Sequence, residues 1–75
     1  MSPDKLAYMA NQIGKFFAHR PHEKAVAEIA DHIRKFWDPR MRRAILDALA
    51  AESPAGGGPK LDPTVREAIL SLRSP

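Results

Sequence analysis

The 75-residue sequence contains no cysteine. Disulfide bonds and thiolate metal sites are therefore excluded. It also contains no apolar run near the roughly 20 residues that a membrane-spanning helix requires. Its polar N-terminal residues, 1–5, lack the apolar core of a signal peptide. These absences favour a cytoplasmic protein that makes no contact with a membrane.

Residues that carry chemistry are also few and scattered. Catalysis requires a nucleophile with a base, paired carboxylates or a metal ion, and no serine here lies near a histidine in sequence. His19 and His22 flank Pro21, which breaks the geometry that two metal ligands would need. The glycines at 56–58 follow no strand pattern, so they do not predict a phosphate-binding loop. We expect a chain that is not an enzyme and that binds no metal ion or cofactor itself.

Proline marks the starts of the predicted helices. Ser2-Pro3, Asp38-Pro39 and Asp62-Pro63 each place a capping oxygen directly before a proline, the typical arrangement at a helix N-terminus. Pro21 starts a further helix without a strong capping residue. The sequence therefore predicts an all-α protein, a small helical bundle with helices at about 3–18, 21–37, 39–51 and 63–73.

This bundle is predicted to have two parts joined by a linker. Residues 1–52 form a three-helix domain, residues 53–61 are a flexible Gly/Pro-rich linker, and residues 62–75 form a C-terminal helix. An isolated helix of about 11 residues is marginal in water. The last helix must therefore dock, on its own chain or on another one. A chain this short buries only about 60% of its unfolded surface, so a partner would add stability.

The first two helices carry matching apolar stripes. Segments 9–17 (MANQIGKFF) and 29–37 (IADHIRKFW) share Ala, Ile, Lys and Phe at places twenty residues apart. The short connection predicts an antiparallel hairpin whose stripes face each other. The aromatic residues of the stripes are expected to close the two ends of this hairpin, with Phe16 and Phe17 at the turn and Phe36 and Trp37 at the far end.

The last two helices repeat each other as well. Segments 38–46 (DPRMRRAIL) and 62–70 (DPTVREAIL) share Asp, Pro, Arg, Ala, Ile and Leu in register. Each is apolar over an arc wider than one hairpin face can cover. We expect this excess surface to contact a partner or, in isolation, a second copy of the chain. The alternative is that a capped amphipathic helix recurs by chance in an alanine-rich sequence.

The corner between the second and third helices is the main candidate binding site. Aromatic, methionine and arginine residues are enriched at interface hot spots, and all three types occur here. A purely structural role is equally compatible, because Asp38 caps the third helix and Trp37 closes the hairpin. The candidate partner-binding residues are nine residues of this corner and two of the fourth helix: Lys35, Phe36, Trp37, Asp38, Pro39, Arg40, Met41, Arg42, Arg43, Val65 and Ile69.

A small nucleic-acid-binding regulator is the alternative function. The net charge is +3, and the corner is rich in arginine, which suits binding to phosphates. A helix that reads DNA usually offers base-contacting residues such as Asn or Gln, however, and the third helix has none. A protein partner is therefore the favoured interpretation.

A pattern of segments extends over most of the chain: MANQI at 9–13, the aromatic pair at 16–17, residues 21–23, residues 30–42 and DPTVREAI at 62–69. Its most specific element is HIRKFWDPRMR at 32–42. The pattern closely resembles the delta subunit of soluble, NAD-dependent, molybdenum-containing formate dehydrogenases. The resemblance implies a non-catalytic accessory subunit of a cytoplasmic complex. Such a subunit would support the assembly, cofactor insertion or stability of the catalytic subunit. The molybdenum bis-pterin centre, iron–sulfur clusters and FMN would then lie on the partner subunits, because this chain lacks cysteine ligands and Rossmann elements.

Overall fold

The computed structural model describes residues 2–52 and 58–73. Within these ranges the chain forms four α-helices and no strand. They are α1 (Pro3–Phe16), α2 (His22–Phe36), α3 (Pro39–Ala50) and α4 (Pro63–Ser71). The predicted all-α class and small helical bundle are confirmed. Most of the predicted linker, residues 53–57, lies outside the described residues.

Local capping by a side chain explains where two of the helices, α1 and α3, begin. The Ser2 hydroxyl accepts a hydrogen bond from the Lys5 amide at 3.2 Å, and a carboxylate oxygen of Asp38 accepts one from the Met41 amide at 2.9 Å. Each satisfies an amide that has no partner within its helix. Asp62 makes no side-chain cap; its own amide donates to the Asn11 side-chain oxygen at 3.0 Å. The start of α4 is therefore held by a contact with α1.

All four helices contribute to a single core. Its largest fully buried side chains come from every helix: Leu6, Ile29, Ile33, Ile45, Val65 and Ile69. Trp37, just after α2, is 5% exposed and belongs to the same core. Because α4 contributes Val65 and Ile69 to this core, it docks on its own chain. The sequence alone had left open whether the last helix docks on its own chain or on another one.

The helix pairing differs from a simple hairpin. The most extensive contact of α2 is with α4, that of α1 is with α3, and the contact between α1 and α2 is less extensive than either. The helix α2 is thus covered mainly by α4, whereas α1 divides its contacts among α3, α2 and α4. The facing stripes expected for α1 and α2 therefore account for only part of the packing.

Small residues explain why the buried face of α1 is rotated away from part of the predicted stripe. Ala7 and Ala10 are almost fully buried, and a Cβ added at Gly14 would overlap a methyl group of Val65. These positions let neighbouring helices approach closely and turn that side of α1 into the core. At about 100° per residue, Phe16 lies about 180° from Ala7 around the helix. Phe16 is consequently 74% exposed, so its predicted place in the core is wrong.

Candidate functional site

Four residues of the predicted corner serve the chain's own fold. Trp37 is buried, Asp38 caps α3, and Met41 is half-buried against the core. A guanidinium nitrogen of Arg42 donates to the backbone carbonyls of Arg34 and Trp37, each at 2.9 Å. These carbonyls lie at the C-terminal end of α2, where helical acceptors have no partner within the helix. These four residues therefore fix the turn from α2 to α3.

The remaining corner residues are exposed and available to a partner. Lys35 forms an ion pair with Asp31 at 3.0 Å, one turn earlier on α2. Phe36 is 72% exposed, although the sequence placed it at the closed end of the hairpin. The other exposed members are Pro39, Arg40 and Arg43. The corner thus presents one aromatic ring and several cations to the surface.

The two candidate residues of α4 lie elsewhere. Val65 is 1% exposed and Ile69 is 0% exposed, and both are in the core against α1 and α2. They were expected to face a partner because the apolar arc of α4 is wide. The arc is instead covered within the chain, so neither residue can contact a partner in this fold.

An aromatic patch that the sequence analysis did not single out lies across α1 and α2. We define it as Phe16, Phe17, His32 and Phe36. The Phe16 and Phe17 rings meet edge to face with centroids 5.1 Å apart, Phe17 and His32 are 6.3 Å apart, and His32 and Phe36 are 4.6 Å apart. A shallow depression of about 300 Å³ beside it is lined by Gln12, Ile13, Phe16, Phe17 and His32.

The twenty-residue repeat contained the signal for this patch. Phe16 and Phe36 occupy matching places in the repeat, and each is the last residue of its helix. The next residue is an aromatic C-cap in both cases: Phe17, which is half-buried, and Trp37, which is buried. In both repeats one aromatic therefore turns toward the core and its neighbour toward solvent.

Besides the bond between Asp62 and Asn11, three polar contacts hold α4 and the residues just before it in place. The Arg66 guanidinium forms a two-pronged ion pair with the Glu52 carboxylate, and one of its two bonds measures 3.1 Å. That hydrogen bond holds the pKa of Glu52 below its usual range and raises the pKa of Arg66. His22 Nε2 lies 2.6 Å from a Glu67 carboxylate oxygen. The Asn11 amide nitrogen donates to the Lys60 carbonyl at 2.9 Å.

The equivalent arginines of the second repeat have related roles. Arg42 and Arg66 occupy the same place in DPRMRRAIL and DPTVREAIL. Arg42 binds carbonyls at the end of α2, and Arg66 binds Glu52 just beyond the end of α3. Each arginine therefore ties its helix to the end of the helix before it.

Within residues 2–52 and 58–73, no group of three or more His, Asp or Glu residues is arranged to hold a metal ion. His22, one of the two histidines around Pro21, pairs with Glu67. None of the helices in the described part of the chain combines the length and apolar character that crossing a membrane would require.

Comparison with known proteins gives one match. No curated protein and no solved structure matches this chain significantly. The family model of the NADH-dependent formate dehydrogenase delta subunit FdsD matches residues 5–69. This range contains the whole of α2 and α3, most of α1 and α4, and every residue of the aromatic patch and the corner. The chain belongs to the family of formate dehydrogenase delta subunits.

Proposed function

We propose that this chain is a non-catalytic accessory subunit that binds the catalytic subunit of a cytoplasmic, NAD-dependent formate dehydrogenase. There it supports assembly, cofactor insertion or stability of that subunit. The observation that carries the proposal is the match of the delta-subunit family over residues 5–69.

The residue content supports a role without redox chemistry in this chain. The sequence has no cysteine, and iron–sulfur clusters are held mainly by cysteine thiolates. The described residues form four helices and no strand. The strand–helix unit that binds dinucleotides is therefore not formed in that part of the chain. We assign the molybdenum bis-pterin centre, the iron–sulfur clusters and FMN to the partner subunits.

Surface composition supports a protein partner. Phe16 and Phe36 are 74% and 72% exposed at the ends of α1 and α2. Contiguous exposed apolar surface typically marks an interaction site in a soluble protein. Aromatic and arginine side chains are also the residues that most often dominate binding energy.

The proposed role is tested by producing the catalytic subunit with and without this chain. We expect omission of the chain to lower formate oxidation, the molybdenum content or the yield of soluble catalytic subunit. A drop in molybdenum content at constant yield would indicate cofactor insertion, whereas a drop in yield would indicate stabilisation. Equal activity, metal content and yield in both preparations would contradict the proposal.

A matched pair of variants tests whether the proposed role requires the folded chain or only its presence. Ile33→Asp places a carboxylate at a position that is 0% exposed, and the cost of burying that charge should unfold the chain. Ala27→Asp introduces the same carboxylate at an exposed position of the same helix, outside the candidate binding residues. We expect Ala27→Asp, but not Ile33→Asp, to restore the activity. Restoration by both would show that the fold described here is not required.

A further inference from the structure

The aromatic patch has the composition of a binding surface. Phe16 and Phe36 are 74% and 72% exposed, and their rings are joined into one row by Phe17 and His32. Isolated exposed apolar residues are common on protein surfaces, but a contiguous group of them is typical of an interaction site. No other helix or loop in the described part of the chain covers Phe16 or Phe36.

Exposed lysines lie next to the two exposed phenylalanines in the sequence. Lys15 and Lys35, both exposed, directly precede Phe16 and Phe36 at matching places in the repeat. Lys35 is paired with Asp31 at 3.0 Å, but both side chains are more than half exposed. Such a surface pair is weak and can exchange partners readily. Arg40, also exposed, lies four residues beyond Phe36.

This charge distribution distinguishes between possible occupants. A second copy of the chain docked patch to patch would bring the two sets of lysines toward each other, and like charges across an interface oppose association. A surface with an apolar centre and an acidic edge would satisfy both the rings and the lysines. The patch therefore suits a different protein better than a copy of itself.

We propose that Phe16, Phe17, His32 and Phe36 form the surface through which this chain docks on the catalytic subunit, at a site that is apolar at its centre and acidic at its edge. This inference rests on the proposed function, which makes the catalytic subunit the partner. The rings fill the apolar part of the contact, and Lys15 and Lys35 pair with carboxylates around it. Trp37, which is buried, and Arg42, which binds the carbonyls of Arg34 and Trp37, position Phe36 by fixing the end of α2.

The test compares the affinity of purified variants for the catalytic subunit, measured by titration calorimetry. The Phe16→Ala/Phe36→Ala variant should fold, because both side chains are largely exposed. Its dissociation constant is expected to rise at least about 30-fold, the size of effect typical of hot-spot residues. Lys15→Glu/Lys35→Glu should also weaken binding, and added salt should weaken binding of the unmodified chain.

Tyr8→Ala is the matched control. Tyr8 is an aromatic residue of α1 and is 65% exposed, but it lines a different depression, beside Asn11 and Lys60. We expect it to bind within about twofold of the unmodified chain, since substitutions outside hot spots are close to neutral. Circular dichroism of each variant checks that the helices are intact.

The possible outcomes are distinct. If the unmodified chain binds and the double phenylalanine variant binds equally well, the docking surface is wrong while the proposed function stands. An equal loss in Tyr8→Ala would also refute the assignment, as would self-association of the free chain that is abolished by the double variant. If the unmodified chain does not bind the catalytic subunit, the proposed function fails and the docking surface fails with it.

Discussion

Truncation of the chain after Glu52 removes α4 and tests whether this helix belongs to the core. Val65 and Ile69 are 1% and 0% exposed. Burying an aliphatic side chain contributes roughly 1.5–3 kcal/mol, so the two together contribute about 3–6 kcal/mol. A domain is stable by about 0.05–0.15 kcal/mol per residue, which is about 4–11 kcal/mol for this chain. The loss of α4 therefore removes roughly half of the free energy of unfolding.

Circular dichroism provides the assay. The four helices contain 14, 15, 12 and 9 residues, so a weakly docked α4 would take only about a fifth of the helical signal with it. We expect the melting temperature to fall by at least about 12 °C, because each kcal/mol shifts it by about 4–8 °C in a domain of this size. We also expect the loss of helical signal near physiological temperature to exceed the share that α4 contributes.

Two full-length variants serve as references for the truncation. Ile69→Ala creates a cavity and should cost about 2–5 kcal/mol, whereas Arg73→Ala changes an exposed residue and should cost less than about 0.5 kcal/mol. A truncated chain that keeps the helical signal of α1 to α3 and melts within about 4 °C of the full-length chain would refute the docking of α4 described here.

Three further predictions concern single contacts. The hydrogen bond from Arg66 of α4 lowers the pKa of Glu52. The stability that this bond contributes is therefore present above the ordinary pKa of 4.5 and is lost as the pH falls through the folded-state pKa. Glu52→Gln should therefore unfold at lower urea than the unmodified chain at neutral pH and show a smaller loss on acidification; identical profiles would contradict this. Gly14→Ala should destabilise the chain by about 1–3 kcal/mol, because the added methyl group overlaps Val65. Val65→Ala in the same chain should relieve part of that cost. If the free-energy changes of the two substitutions are strictly additive, the overlap is contradicted. Arg42→Ala should cost about 1–3 kcal/mol through two lost carbonyl bonds, and Arg43→Ala less than about 0.5 kcal/mol; equal costs would contradict the capping role of Arg42.

The helices could be predicted from the sequence because their signals are local. A capping residue followed by proline acts within one turn of the chain, and α1, α3 and α4 each begin at such a proline. Asp38 caps its helix as expected, although Asp62 relies on Asn11 from α1 instead. The position of a helix start could therefore be predicted from neighbouring residues. The group that forms a hydrogen bond with the amides at that start could not always be predicted.

The pairing of the helices could not be predicted in the same way. The stripes of α1 and α2 show which residues are apolar, but they do not show which helix covers them. Small residues decided the outcome in α1, because Ala7, Ala10 and Gly14 allow close approach and carry no strong hydrophobic signal of their own. Phe16 was displaced from the core for this reason.

Partner binding by the corner stays a prediction, and the structure divides its residues into two groups. The corner at 35–43 does contain exposed residues, among them Lys35, Phe36 and Arg40. Its most distinctive members, Trp37 and Arg42, are instead engaged with the chain itself. Substituting Trp37 or Arg42 would disturb the fold as well as any contact with a partner. A binding test is therefore better directed at Phe36 and at Phe16, its equivalent in the repeat.

The mass of the catalytic subunit, produced together with this chain and isolated under native conditions, tests the central claim most directly. If the chain is an accessory subunit, the isolated species should be heavier than the catalytic subunit by one or more units of 8.3 kDa. Production with the Phe16→Ala/Phe36→Ala variant should reduce the heavier species. A catalytic subunit isolated at its own mass alone, before and after cofactor loading, would contradict the account.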